Sequence, residues 1–113
     1  MHELSLAQGV VRIVDDAAAG AGHQRVTAVW LEIGALSAVE IEALRFCFEA
    51  VARDTRAHGA RLEIVAVPGR GWCMVCSEEV PLGALGVACP RCGRYQLQPV
   101  GGTGMRVKEI EVA

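Results

Sequence analysis

Between Glu3 and about Ala19, the apolar positions Leu4, Ala7, Val11, Val14 and Ala18 recur at intervals of three and four, the spacing of one helical face. Gly20 and Gly22 are the expected end of that helix. RVTAVWLEIG follows, with Val29, Leu31 and Ile33 alternating among β-branched and aromatic neighbours, which predicts a strand. LSAVEIEALRFCFEAVARDT predicts a second helix, buried through Ile41, Leu44, Phe48 and Val51. Ser37 followed three residues later by Glu40 reads as a capping box, in which the two side chains satisfy amide N–H groups left over at a helix start. Gly59 is the expected stop, with Arg56 and His58 in the last turn, where the helix dipole favours cations. ARLEIVAV, alternating Leu62, Ile64 and Ala66, predicts a second strand, and MRVKEIEV near the end a third. The third strand's alternation slips phase between Val107 and Ile110, as at a bulge or an edge.

The texture changes at Pro68 and Gly69. From there to about Gly104 the chain is rich in Gly, Pro and Cys, poor in large aliphatic residues, and carries no helical pattern. About 35 residues of this kind cannot bury enough apolar surface to hold a fold unaided, so something must staple them. The staple is written in two knuckles, CMVC (Cys73, Cys76) and CPRC (Cys89, Cys92), twelve residues apart. Two residues between cysteines let a tight turn aim both thiolates at one point. Two such turns joined by a hairpin-sized linker give tetrahedral all-thiolate coordination, which favours zinc and leaves no open position for catalysis. Pro90 and Gly93 suit the second turn, whereas the first has Ser77 where a glycine would match. Two dithiol redox centres or an iron–sulfur cluster are the rival readings, although neither pair opens a helix after a strand as a thioredoxin-like motif does. No histidine occurs after His58, so none within the module can replace a cysteine on the metal. The fifth cysteine, Cys47, lies beside Leu44 and Phe48 on the second helix and reads as a small buried hydrophobe.

The architecture expected is therefore α+β. Two helices pack on a small three-stranded sheet over residues 1–68 plus 105–113, and a zinc-ribbon-like module, 69–104, is inserted before the last strand. Composition narrows the function. Of the 113 residues 52% are hydrophobic and the formal net charge is -2, which suits a packed core and disfavours general nucleic-acid or anionic-membrane binding. No apolar run approaches the ~18 residues of a membrane span. Glu3, Gln8, Arg12, Asp15 and Asp16 interrupt any signal-peptide pattern, so the expected location is the cytoplasm, where free cysteines serve as metal ligands or buried thiols. Arg70, Arg91, Arg94, Trp72 and Tyr95 could form a basic, aromatic surface for nucleic acid, yet the module holds only three basic residues against two acidic ones, a poor electrostatic footprint.

The opening residues MHELSLA carry a second candidate site. A free α-amine has a pKa of about 7.7–8.0, so a metal can displace its proton near neutral pH. The imidazole of His2 is a good ligand for nickel, copper or zinc, and the His2 amide nitrogen lies between the two donors. A metal held by both is placed to displace that amide proton too, giving fused chelate rings, with Glu3 able to add a carboxylate oxygen. Nitrogen-rich tetragonal sites suit Ni(II) and Cu(II). The competing reading is a solvated His2 ahead of a helix whose first turn welcomes Glu3. Asp15 and Asp16 read as a solvated helix end and His23 as an exposed loop residue. Trp30 and Trp72 could each be core or partner-contacting. With no acid or base companion at either metal site, an enzyme is not expected.

MHELSLA, LEIGALSAVEIEALRFCFEAV, the ARLEI strand and C-x2-C-x12-CPxCG, in this order, resemble the HypA/HybF nickel-incorporation proteins, accessory factors that help mature [NiFe]-hydrogenase. The resemblance covers essentially the whole chain. It implies a nickel-binding α/β domain with nickel at the Met1 amine, His2 and, in some members, Glu3, and a zinc domain whose ligands match Cys73, Cys76, Cys89 and Cys92. It also implies Ni(II) as transient cargo, Zn(II) as a structural ion, a GTPase accessory partner, delivery to the hydrogenase large subunit, in some members service to urease maturation, and a monomer or homodimer. Some members carry histidines beside the CxxC pairs and exchange them for cysteine on the zinc; this chain has none there.

Overall fold

The computed structural model describes residues 2–113. Helix α1 (His2–Gly20) is followed by strand β1 (Val26–Gly34), helix α2 (Ile41–Ala52), strands β2 (Arg61–Val67), β3 (Arg70–Cys73), β4 (Glu78–Pro81) and β5 (Leu97–Gly101), and strand β6 (Met105–Val112). The strands form two three-stranded sheets, ordered β2-β1-β6 and β4-β3-β5. The closing strand thus returns to the sheet begun by β1, and the cysteine segment lies between β2 and β6. The chain divides into two compact units, one of residues 1–31, 39–64 and 107–113, the other of 32–38 and 65–106.

In the first unit, α1 buries Ala7, Val10, Val11, Val14 and Ala18. Val10 joins the expected face, and Leu4 leaves it, being exposed at the helix's open end. The helix stops in a Schellman geometry. Gly22 takes φ +79°, the His23 amide donates to the Ala18 carbonyl (2.8 Å) and the Gly22 amide to Ala19 (3.0 Å), closing carbonyls a helix end leaves open. This return of the chain half-buries His23 rather than exposing it. Helix α2 packs against α1 and buries Leu44, Cys47, Phe48 and Ala52, with Ile41 and Val51 only half-buried. Hydrogen bonds fix the first sheet's directions. The Thr27 hydroxyl meets Glu111 and the Gly34 amide meets Gly104, so β6 runs antiparallel to β1. The Val26 amide donates to Arg56 and the Ala35 amide to Val67, so β2 runs parallel to it. The phase slip expected in the last strand is present: Lys108 and Glu109 are both exposed, between the half-buried pairs Met105 with Val107 and Ile110 with Val112. β2 is less inward-facing than its alternation predicts, with Leu62 buried, Ile64 half-buried and Ala66 exposed, as befits an edge.

Two boundary expectations are overturned. Ser37 and Glu40 do not form a capping box. The Ser37 hydroxyl donates to the Gly34 carbonyl (2.7 Å) in the turn that leaves β1, and Ala38 sits at φ 60°, which prevents a helix from starting there. Glu40 is itself the N-cap, accepting from the Glu42 amide through Oε1 (3.1 Å). At the other end α2 stops at Ala52, well short of Gly59. Arg53 turns to ψ 141° and Asp54 to φ 63°. Arg56 is drawn away instead, its amide (3.0 Å) and guanidinium (3.3 Å) both on Asp15 and its Nε on the His23 carbonyl (3.2 Å). Asp15 is thus a structural anchor and not a solvated helix end. Trp30 is half-buried beneath the Arg61 guanidinium, 5.6 Å from the ring centroid, a cation–π contact.

In the second unit the antiparallel sheet pairs Trp72 with Glu79 and Gln98, and Cys73 with Glu78 and Leu97, with an irregularity at Arg70/Gly71. Its cysteine cluster is small, Cys73, Val80 and Cys89 packed by Cys76 and Leu97, and Ile33, Leu36 and Leu82 are buried besides. Backbones approach closely where 32–38 joins this unit. A Cβ on Gly34 would lie 2.1 Å from the Gly102 carbonyl oxygen, and one on Gly69 2.1 Å from that of Leu82.

Candidate metal centres

The β3–β4 hairpin carries the first knuckle at its turn. The Ser77 amide donates to the Cys73 carbonyl (2.8 Å) and the Cys76 amide approaches Cys73 Sγ at 3.4 Å. The second knuckle repeats this geometry outside any strand. The Gly93 amide donates to the Cys89 carbonyl (2.9 Å), the Arg91 amide approaches Cys89 Sγ at 3.4 Å, and the Cys89 amide is held by the Arg94 carbonyl (2.7 Å). The residue after each knuckle sits in the left-handed region, Gly93 at φ 74° and Ser77 at φ 54°. Glycine adopts that conformation freely; serine does so at a cost.

All four sulfurs of Cys73, Cys76, Cys89 and Cys92 lie within 4.8 Å of one another, and Cys73 Sγ is 3.7 Å from Cys92 Sγ. Four thiolates at the Zn–S distance of about 2.3 Å stand roughly 3.8 Å apart in a tetrahedron, so this donor set fits a zinc ion. Cys73 and Cys89 are buried and Cys92 is the most open. Hydrogen bonds from the Cys92 and Arg91 backbones lower the Cys89 thiol to about 7, while desolvation and the crowd of neighbouring sulfurs push Cys76 up to about 12. Such crowding resists full ionisation until a cation offsets the charge. Of the module's arginines, Arg91 pairs with Glu78 (2.6 Å) and Arg70 with Glu79 (2.8 Å). Arg94 is left as the one without an ion pair among the described residues.

His2 and Glu3 open α1, and Met1 lies outside the described residues. His2 is exposed and Glu3 half-buried. Glu3 Oε2 accepts from the Glu40 amide at 3.2 Å. That hydrogen bond, then Glu3's own amide and the nearby His2, hold the carboxyl below its ordinary value against a smaller opposing desolvation. The start of α1 is therefore tied to the start of α2, a long-range contact that no local pattern encodes.

Residues 1–112 match the family described as "Hydrogenase/urease nickel incorporation, metallochaperone, hypA". The chain belongs to the HypA family. It is 60% identical over 112 residues to the hydrogenase maturation factor HypA of Dechloromonas aromatica and 59% identical to that of Albidiferax ferrireducens, the alignment covering 99% of both chains each time. The fold matches the solution structure of the Ni metallochaperone HypA from Helicobacter pylori, with TM-score 0.71 at 22% identity over 97% of this chain and 96% of that one. A second HypA solution structure gives 0.75 at 23%, over 100% and 97%. HypA proteins are maturation factors and metallochaperones, not catalysts.

Proposed function

We propose that this protein carries Ni(II) at its amino terminus for the maturation of [NiFe]-hydrogenase, with Zn(II) on Cys73, Cys76, Cys89 and Cys92 holding the second unit in shape. The observation that carries the reading is that His2 lies in the first turn of α1. The first four N–H groups of a helix have no intrahelical acceptor, so the His2 amide proton can be displaced by a metal without breaking a helical bond. The Met1 amine, the His2 amide nitrogen and the His2 imidazole would then hold the ion. Glu3 supplies negative charge beside it and stays fixed by the Glu40 amide.

The same placement sets the strength. The positive end of a helix dipole opposes a dication, and Glu3 offsets it. The balance favours a site that acquires nickel yet releases it when a recipient's thiolates displace the donors in turn. Because amine and amide must lose protons, affinity falls as pH drops. The recipient in this reading is the hydrogenase large subunit, reached with a GTPase accessory partner and, in some settings, shared with urease maturation.

His2→Ala should abolish tight nickel binding in calorimetry of the untagged protein and leave zinc content and circular dichroism unchanged. One residue added before Met1 should weaken binding as well, by separating amine from imidazole. A square-planar nickel absorption band that survives His2→Ala would place the metal elsewhere.

A further inference from the structure

The C-terminal half of α2 and the loop behind it enclose a half-open cavity of about 580 Å³, inside the usual ligand-site range of roughly 300–1,000 Å³. Its floor is apolar: Phe48, Ala52, Ala57 and Leu62 are all buried. Its rim carries the charges of Arg45, Arg53 and Glu49, with His58 beside them. Arg45 is partly engaged, donating to the Leu62 carbonyl (2.7 Å) with Glu42 at 3.8 Å. Arg53, His58 and Glu49 have no ion-pair partner among the described residues.

The loop is pre-formed. Thr55 Oγ1 donates to the Ala52 carbonyl (2.7 Å) and accepts from the Ala57 amide (3.1 Å); the His58 amide donates to Thr55 (3.2 Å) and the Ala60 amide to Ala57 (2.9 Å). A helix C-terminus ordinarily repels anions. Here the Ala52 carbonyl is already covered by both the Thr55 hydroxyl and the Thr55 amide, and two guanidiniums, Arg45 and Arg53, stand against Glu49. On a chain of net charge -2, that makes this a locally complementary surface for an acid.

We propose that this cavity docks an acidic, apolar peptide segment of a partner protein. An aliphatic side chain enters over Phe48, a flanking carboxylate meets Arg53 and His58, and Glu49 accepts a peptide N–H. Glu49 argues for a peptide over a simple anion, which has no donor to offer it. The inference rests on the reading of the protein as a carrier, which needs a surface for its recipient besides the metal-bearing end. Along α2 the cavity wall runs from Arg45 to Ala52, about 8 to 18 Å at 1.5 Å per residue from Glu40, whose amide is held by Glu3.

The test uses zinc-loaded, nickel-free full-length protein labelled with ¹⁵N and titrated with a capped pentapeptide alternating aspartate and leucine. Amide shifts should concentrate in residues 45–62. The asparagine counterpart should bind several-fold more weakly. Arg53→Glu, an exposed site, should weaken the aspartate peptide by about fivefold or more, the upper range for an exposed ion pair; His58→Glu serves as the second variant should the first misfold. No shift, equal binding of the asparagine peptide, or the same shifts from sodium acetate alone would overturn the proposal. Nickel is absent throughout, so a failure here leaves the nickel reading intact, and failure of the nickel reading would leave a positive titration standing.

Discussion

At the scale of single residues, the two knuckles are unequal because of one side chain. Ser77 occupies the left-handed conformation that Gly93 occupies in the second knuckle, at a cost on the order of 1 kcal/mol. Ser77→Gly should therefore slow zinc loss to a chromogenic chelator several-fold, with the zinc stoichiometry unchanged. The missing glycine is visible in the sequence; that serine is nevertheless forced into the glycine geometry is not, because that follows from closing the hairpin. Glu3 is legible as a first-turn acid, but its bond to the Glu40 amide joins residues 37 apart. Since that bond lowers the Glu3 carboxyl below 4.5, its stabilisation is full above the ordinary value and is lost as pH falls through the lower folded-state value. The Glu40 amide resonance should accordingly shift with a midpoint below 4.5, and in Glu3→Gln that transition should vanish.

At the scale of elements, periodicity locates both helices and all three strands of the first sheet, since amphipathic spacing records which face is buried. It fails at boundaries decided by distant partners. Arg56, expected in the last turn of α2, is held instead by Asp15 and His23, and the helix ends before it. Strands β3, β4 and β5 leave no periodic trace, because four- and five-residue strands around a sulfur cluster alternate too briefly to register. Within α2, Leu44 is 1% exposed. Leu44→Ala should cost about 2–5 kcal/mol, read as a lower midpoint in thermal or urea unfolding. Gly102→Ala should destabilise the second unit for a different reason: at φ 72° its new Cβ would stand 2.5 Å from the Pro68 carbonyl oxygen. Larger residues at position 102 should fare no better.

At the scale of the whole molecule, the two units draw stability from different sources. The first has an extended aliphatic interior, whereas the second buries only Ile33, Leu36, Val80 and Leu82 besides Cys73 and Cys89. With zinc on the four cysteines as proposed, a chelator should collapse amide dispersion across residues 70–101 while the helical circular dichroism of α1 and α2 persists. The paired cysteines and the change of texture at Pro68 and Gly69 mark the cysteine segment in the sequence, whereas nothing there marks residues 32–38, which fall in the same unit. The cavity behind α2 is invisible at that level, as its walls come together only once the loop of residues 53–60 has folded back.

Arg45 has one more effect. β2 stands at a sheet margin, where free carbonyls invite a neighbouring molecule to add a strand of its own. By occupying the Leu62 oxygen, the guanidinium removes an acceptor from that row, so a stacking molecule would find an interrupted ladder and the carrier is less prone to fibrillar self-association.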